Sequence, residues 1–285
     1  MVYYFPVLGA VALAFGTIFE RFILKKKHVG IQAYQVLSFL CITIAMIPLV
    51  YFFWKAEPDA FLVKNLIIFA LVIAFSIVAN IFVFYSVKGE KINNLEPARV
   101  LEPLFVILLA IVFSFFIDDL YDGNLKIIIP AIIAGVALVA THIKKDHLRF
   151  NRYFVAAIFG SFFFAMELVI SRLILDFYSP ISFYFLRSFF VFLVSWIIFM
   201  PKFEKIDRIS KVEIFFVGVI WVAYRVVTYY GYLHAGVIFT TLILMLAPVL
   251  IYAFARLFLR EKMSWKNFAA AIVIVSSVAY ATFGQ

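Results

Sequence analysis

The sequence predicts an all-α integral membrane protein in which ten transmembrane helices form two inverted five-helix repeats. Of its 285 residues, 66% are hydrophobic and only 14% are charged, which is more apolar surface than a soluble domain of this length can bury. The apolar residues fall into ten runs, and the first five runs resemble the last five. Because each half holds an odd number of predicted crossings, the second half is expected to lie upside down relative to the first.

The ten predicted spans follow from the length that a helix needs to cross a bilayer, about 20 apolar residues. In the first repeat (1–146) they are 3–24, 31–54, 64–87, 93–117 and 126–143, and in the second (147–285) they are 152–175, 180–201, 211–233, 237–259 and 265–283. The first span has no basic leader and no small-residue cleavage site, so we expect a retained helix rather than a signal peptide. Tyr3, Tyr4, Trp54 and Trp265 fall at span ends, where aromatic side chains favour the membrane interface.

The basic residues of the loops predict the orientation. The odd-numbered loops hold 16 of them, at 25, 26, 27, 88, 91, 144, 145, 149, 152, 202, 205, 208, 211, 260, 262 and 266. The even-numbered loops hold only Lys55, Lys64 and Lys126. The positive-inside rule therefore predicts odd loops in the cytoplasm, both termini outside, and insertion in the cytoplasmic (inner) cell membrane.

Composition also narrows the chemistry. The single cysteine, Cys41, excludes an intrachain disulfide and a cysteine metal cluster. The net charge of +9 is explained by the loops, so nucleic acid is not an expected partner. No His, Asp and Glu spacing suits a metal, and no glycine motif suits a phosphate, so we expect neither a cofactor nor ATP as the energy source. The 37 phenylalanines fit either an aromatic-lined cavity or lipid-facing packing.

The two halves match along two stretches. With a shift of 151 residues, Gly9 falls on Gly160, and RFIL at 21–24 falls on RLIL at 172–175. With a shift of 145 residues, Pro103 falls on Pro248, each in the fourth predicted helix of its half. Identity is sparse, so chance matching of apolar residues is the alternative. A proline kinks a helix by deleting a backbone hydrogen bond, and paired breaks of this kind point to a substrate site in transporters.

The second half resembles a known family. Leu246-Ala-Pro248, then LREKMS at 259–264 and a helix of small residues (269–271, 276 and 277), is similar to the end of an EamA-type domain of the drug/metabolite transporter superfamily. Pro180 followed by Arg187 resembles the second helix of that domain. The first half is a weaker version: it has Leu101-Glu-Pro103, but an Asp pair stands at 118–119 near the expected Arg-Glu, and Val36 occupies the position that matches Arg187.

The resemblance extends over essentially the whole chain. It implies a ten-helix secondary transporter in which helices 1–4 and 6–9 enclose a central cavity while helices 5 and 10 lie at the periphery. It implies transport of a small metabolite by alternating access, and it leaves the substrate open.

Helix 4 carries three charges, Glu96, Arg99 and Glu102, at spacings that let Arg99 pair with either acid. Glu102 is expected about 13–15 Å into the helix, near the membrane centre. Two interpretations stay open. The three residues form a neutralised structural cluster, or Glu102 exchanges a proton across the membrane.

Helix 8 carries Arg225 deep in its span, on one face with Trp221, Thr228, Tyr229 and Tyr232. A buried arginine beside aromatic rings can hold a carboxylate with two hydrogen bonds while the rings cover an apolar body. This predicts an amino-acid or organic-anion site, and the equally weighted alternative is a purely structural pair with a glutamate. Under the 145-residue shift Asn80 matches Arg225, which makes it a further binding candidate.

The remaining charges divide by depth. Glu167 and Arg187 lie well inside helices 6 and 7, so they are expected either to pair across that hairpin or to face the cavity. Arg21, Arg172 and Arg256 lie within about one turn of span ends, where long side chains reach the headgroups.

The hypothesis is that Arg225, with Arg187, receives a negative substrate group, and that Pro103 and Pro248 allow the opening bend.

The predicted function is secondary active transport, with a small-molecule substrate and the lipid bilayer as partners. A non-transporting scaffold and a membrane-embedded enzyme acting on lipid are the alternatives, although no reactive constellation for an enzyme is visible. Small residues at 131, 134, 135 and 269–271 would allow a homodimer, and packing within one chain explains them equally well.

Overall fold

The computed structural model describes residues 5–26, 29–90, 95, 98–117, 124–142, 151–203, 206–250 and 265–283. The described helices of the first half are α1 (Phe5–Leu24), α2 (Ile31–Phe53), α3 (Val63–Gly89), α4 (Leu101–Ser114) and α5 (Leu125–His142). Those of the second half are α6 (Arg152–Leu175), α7 (Pro180–Phe199), α8 (Arg208–His234), α9 (Val237–Leu244) and α10 (Trp265–Phe283). Each predicted span thus overlaps one of these helices, and α3, α5 and α8 extend one to three residues beyond the predicted bounds.

Within the described residues, six helices are long and apolar enough to cross a membrane by length and composition: α1, α2, α3, α6, α7 and α8. The other four are shorter apolar helices. Large apolar side chains lie on the outside of the bundle, for example Phe22, Ile67 and Phe216, each about 60% exposed. The chain is therefore a multi-pass membrane protein whose outer surface suits lipid.

The fourth helix of each half is interrupted three residues before a proline. The backbone turns at Val100, ahead of Pro103, and at Met245, ahead of Pro248. Because proline has no N–H, the carbonyls of Arg99 and Leu244 receive no helical hydrogen bond from the residue four positions on. The two interruptions therefore occur at positions that differ by the same 145 residues as the prolines.

Helices of one half pack against helices of the other. The most extensive contacts join α3 to α6, α1 to α8 and α2 to α7, and α5 packs against α10. Further contacts join α2 to α8, α3 to α7, α4 to α6, and α1 to α9. The interior between the halves is thus formed by helices from both.

The connectors meet at two opposite ends of the helices. At one end, the α1–α2 connector meets the start of α8, where Lys26 forms an ion pair with Glu213 and donates a hydrogen bond of 3.1 Å to Ser210. We name this end the α1–α2 face. At the other end of α2, the α2–α3 connector pairs with the α6–α7 connector through Glu57 N to Phe177 O (2.8 Å) and Ser179 N to Lys55 O (3.1 Å). We name this end the α2–α3 face.

The glycines that match between the halves both lie at close helix contacts. A Cβ at Gly9 would lie 3.0 Å from Leu244 and 3.2 Å from Val227. A Cβ at Gly160 would lie 2.7 Å from Val83 Cγ2 and 3.2 Å from its backbone nitrogen. Glycine is therefore required for α6 to approach α3 this closely.

We predict that Gly160→Ala lowers the free energy of unfolding by about 1–3 kcal/mol, because the added methyl overpacks the α3–α6 contact. Unfolding of the purified protein in mixed micelles measures the change. Val83→Ala should restore part of the loss by making room for that methyl. Gly30→Ala is the matched control, since a Cβ there meets no atom within 4 Å.

Candidate functional site

Glu167 of α6 lies at the centre of a buried charge cluster. Its Oε1 is 2.8 Å from Arg187 Nε of α7 and accepts a hydrogen bond of 2.8 Å from the Tyr229 hydroxyl of α8. Its Oε2 is 3.3 Å from Arg225 Nη1 of α8. Ser171 adds a contact of 3.4 Å to Oε1. This Glu167 cluster joins three helices, and the Glu167 side chain is completely buried.

The Glu167 cluster extends to the first half through Arg187. Arg187 Nη2 donates a hydrogen bond of 2.7 Å to Ser76 Oγ on α3. Asn80, one turn further along α3, donates to the Ser76 carbonyl at 2.7 Å. Arg187 therefore contacts Glu167 through Nε and Ser76 through Nη2, and these contacts link α3 to α6 and α7.

A second group of polar residues, the Arg99 cluster, comes from α1, the residues just before α4 and the start of α4. Arg99 Nη2 lies 3.5 Å from Thr17 Oγ1. Glu20 lies near Arg99 and the Trp221 indole of α8, and all three line one cavity. Glu102 interacts with Arg99 and also with Arg225, which places it between the two clusters. Glu20 is only 5% exposed, so its side chain lies in the interior of the bundle although the residue is near the end of α1.

A cavity of about 70 Å³ separates the two clusters. Its polar lining includes Glu20, Asn80, Arg99, Glu102, Arg187 and Arg225. Aromatic rings complete the wall, and the Arg225 guanidinium lies 5.3 Å from the centre of the Phe164 ring and 5.5 Å from that of Tyr224. We call this space the central cavity. Carboxylates and guanidinium groups face each other across it, and aromatic faces stabilise the cation between them.

A neighbouring cavity of about 110 Å³ lies where the two interrupted helices meet. Its lining includes Pro103 and Pro248 together with the turn residues Val100 and Met245. Arg99, Glu102 and Tyr224 line both cavities. The helix interruptions at Val100 and Met245 therefore lie next to the charged residues rather than at the edge of the bundle.

Some of the predicted site residues line one of the two cavities, and others belong to the Glu167 cluster. Trp221 and Asn80 line the central cavity beside Arg225 and Arg187. Tyr229 instead lies behind them, as a donor to Glu167. Tyr232 lines the cavity at the prolines and contacts Thr241 at 3.3 Å. The predicted pair of Glu167 with Arg187 is present, and so is the pair of Arg225 with a glutamate of another helix.

Of the charged residues predicted within the spans, Glu96 and Arg256 lie outside the described residues, and so do the predicted interfacial Tyr3 and Tyr4 and the LREKMS motif at 259–264. The lining residues that the sequence analysis missed include Thr17, Tyr34, Tyr184 and Tyr224. Tyr224 precedes Arg225 in sequence, so a helical-face argument separates the two. Both nevertheless line the central cavity, because a cavity between several helices accepts side chains from a broad arc of α8.

The fold and this site define a class, a multi-pass helical membrane protein with buried charges around a cavity between its two halves. Residues 151–283 match the model of the EamA-like transporter family. The match covers the second half of the chain and confirms the predicted resemblance to an EamA-type transporter of the drug/metabolite transporter superfamily. Members of the family are transporters rather than enzymes.

Structural comparison gives 29 similar chains. One solved structure, titled "Crystal structure of protein", aligns with a TM-score of 0.69 and 15% identity over 99% of this chain and 96% of that one. At this identity the likeness describes the fold. No curated protein matches the sequence.

Proposed function

We propose that the protein is a secondary active transporter that moves a small carboxylate-bearing metabolite, an amino acid or an organic anion, across the cytoplasmic membrane by alternating access. The proposal includes ten crossings arranged as two inverted five-helix repeats. The single observation that carries it is the central cavity, where Arg225 and aromatic rings lie between the two halves of the chain.

Contacts between helices support the repeat. A two-fold relation that exchanges α1–α5 with α6–α10 turns the α3–α6 contact into α8–α1, and turns α4–α6 into α9–α1. Each of these partner contacts is present. The same relation returns α2–α7 and α5–α10 to themselves, and these two contacts are also extensive.

The connectors support the inversion of the repeat. The α1–α2 and α6–α7 connectors are equivalent under the two-fold relation, since residue 25 matches residue 176 under the 151-residue shift. The first of them meets the start of α8, whereas the second pairs with the α2–α3 connector at the other end of α2. Equivalent connectors at opposite ends are what an inverted repeat requires.

Arg225 is the proposed substrate-binding residue. A carboxylate in the central cavity would compete with Glu167 and Glu102 for the Arg225 guanidinium, while Trp221 and Tyr224 would cover the apolar part of the substrate. Arg187 is a positioning residue in this scheme, because Glu167 and Ser76 already occupy it. Tyr229 donates to Glu167, which pairs with both arginines. Asn80 donates to the carbonyl of Ser76, the residue whose hydroxyl accepts from Arg187.

Glu102 is the proposed proton-coupling residue. Three arginines (99, 187 and 225) and three glutamates (20, 102 and 167) form the two clusters, so the clusters are neutral when all six are ionised. An anion that enters adds a negative charge that is costly in this environment. Protonation of Glu102, which faces both clusters, would offset that charge, and Pro103 beside it would transmit the change to the kinked helix.

The proposed orientation places the α1–α2 face in the cytoplasm. That face carries Lys25, Lys26, Arg152, Lys202 and Arg208, whereas the α2–α3 connector carries Lys55 among its described residues. The positive-inside rule favours this assignment.

The function is tested by uptake into proteoliposomes, screened over amino acids and organic acids with and without an inward proton gradient. We expect saturable uptake of at least one anion or amino acid that the gradient stimulates. Liposomes without protein give the background. Background rates for the whole panel in both conditions would contradict the proposal.

The same assay tests the role of Glu102. We predict that Glu102→Gln removes the stimulation by the proton gradient, because the amide cannot bind and release a proton, while exchange of labelled for unlabelled substrate continues. Glu57→Gln, in the α2–α3 connector, is the control and should keep the wild-type stimulation. Full stimulation in Glu102→Gln would exclude Glu102 as the coupling residue.

A further inference from the structure

A large groove lies on the outside of the bundle, away from the central cavity. Its volume is about 1250 Å³, and none of its lining residues lines the central cavity. The walls come from both halves: the start of α2, the second half of α3, the first three turns of α6, and the connector that follows α7. A groove of this size on the apolar surface of a membrane protein faces lipid rather than water.

The end of the groove at the α1–α2 face is cationic. Arg152, the first residue of α6, and Lys202, after α7, both line it and are both exposed. Among the described residues of this edge, Glu90 accepts a hydrogen bond from Asn151 and is not part of the lining. The mouth therefore presents two positive charges with hydrogen-bond donors to a ligand from the membrane surface.

The rest of the groove is apolar and aromatic. Phe82 stacks on Phe163 with ring centres 6.1 Å apart and planes 4° apart, and Phe159 contacts Phe82 at 5.8 Å. From Arg152 to Phe163 the groove follows α6 for 11 residues, about 16 Å of helix. A cationic mouth at the interface leads into an apolar wall that runs toward the membrane centre.

We propose that this groove binds an anionic phospholipid, whose phosphate contacts Arg152 and Lys202 and whose acyl chain lies along Phe82, Phe159 and Phe163. Basic pockets between transmembrane helices at the cytoplasmic side favour such headgroups. The charge at the mouth selects an anionic lipid over a zwitterionic one. Because α3, α6 and the α7–α8 connector all line the groove, a bound lipid contacts both halves of the chain.

Native mass spectrometry of the purified protein in detergent tests the proposal, with phosphatidylglycerol as the probe and phosphatidylcholine of the same chains for comparison. We expect selective retention of phosphatidylglycerol. The double variant Arg152→Gln/Lys202→Gln should weaken its binding about twenty-five-fold, on the basis of about fivefold for each cation. The matched control Arg208→Gln/Lys211→Gln removes the same charge from the same face, outside the groove, and should bind as the wild type does.

Two further arms separate the alternatives. Val155→Trp narrows the groove and should reduce binding of phosphatidylglycerol with the charges intact, and inorganic phosphate at equal concentration should not compete. Equal retention of both lipids, an equal loss in both double variants, competition by inorganic phosphate, or a stable dimer that excludes the lipid would each overturn the proposal. The proposal rests on the proposed function only for the cytoplasmic placement of the α1–α2 face. This test requires no transport activity, so its outcome is distinguishable from that of the transport assay.

Discussion

Replacing Glu167 by glutamine is expected to lower the free energy of unfolding by about 3–5 kcal/mol, because the change leaves two buried arginines without their shared counter-ion. Arg187 and Arg225 are 1% and 6% exposed, so water cannot take the place of the carboxylate. The amide keeps the size of the side chain, and the loss therefore reports charge rather than packing. Unfolding in mixed micelles, followed by tryptophan fluorescence or circular dichroism, measures it.

The control for Glu167 is Asp176→Asn at the end of the same helix. Asp176 pairs with Arg172 at 2.6 Å, but its side chain is 54% exposed, so we expect a loss below about 1 kcal/mol. Glu167→Gln/Arg187→Gln should recover part of the stability by removing one of the stranded cations. If Glu167→Gln is as stable as Asp176→Asn, the cluster does not hold α6, α7 and α8 together.

Replacing Arg225 by glutamine is expected to reduce uptake of an anionic substrate at least about thirtyfold, since loss of a desolvated charge-assisted contact costs about 2–5 kcal/mol. The protein should still fold, because Arg187 and Tyr229 remain on Glu167 at 2.8 Å each. Initial rates in proteoliposomes, normalised to inserted protein, measure the change. Arg225→Leu should have the same effect.

Arg21→Gln is the matched control for Arg225. Arg21 lies in the last turn of α1, near the membrane surface, so its replacement should leave uptake within about twofold of the wild type. Wild-type uptake by Arg225→Gln would remove this residue from the substrate site. A loss of folded protein in Arg225→Gln would assign it to structure instead.

Much of the helical layout follows from local sequence. Hydrophobic length predicted where each described helix lies, and loop signals such as Ser179-Pro180 mark the start of α7, where the Ser179 hydroxyl accepts from Ser182 N at 3.1 Å. The matching prolines predicted the interruptions of α4 and α9, because a missing N–H acts within one helix. The predicted partner of Arg187 was also present, since α6 and α7 are joined by a short connector.

The rest depends on tertiary contacts that no single helix encodes. Glu167 binds Arg225 as well as Arg187, which requires the Arg225 face of α8 to pack against α6. In this arrangement the Tyr229 hydroxyl contacts Glu167 rather than the central cavity. Glu20 stands near the end of its predicted span, yet the packing of α1 against α8 brings it to Trp221 and the interior. Helical periodicity fixes which residues share a face and leaves open what that face meets.

The inverted repeat is tested most directly by the sidedness of two equivalent positions, Lys25 in the α1–α2 connector and Asp176 in the α6–α7 connector. Cys41 is the single native cysteine, so Cys41→Ala gives a background for Lys25→Cys and Asp176→Cys, two positions that are exposed in the structure. A membrane-impermeant maleimide is applied to intact cells and to inverted vesicles. The account predicts that Asp176→Cys reacts only in intact cells and Lys25→Cys only in inverted vesicles. Labelling of both positions from the same side would contradict it.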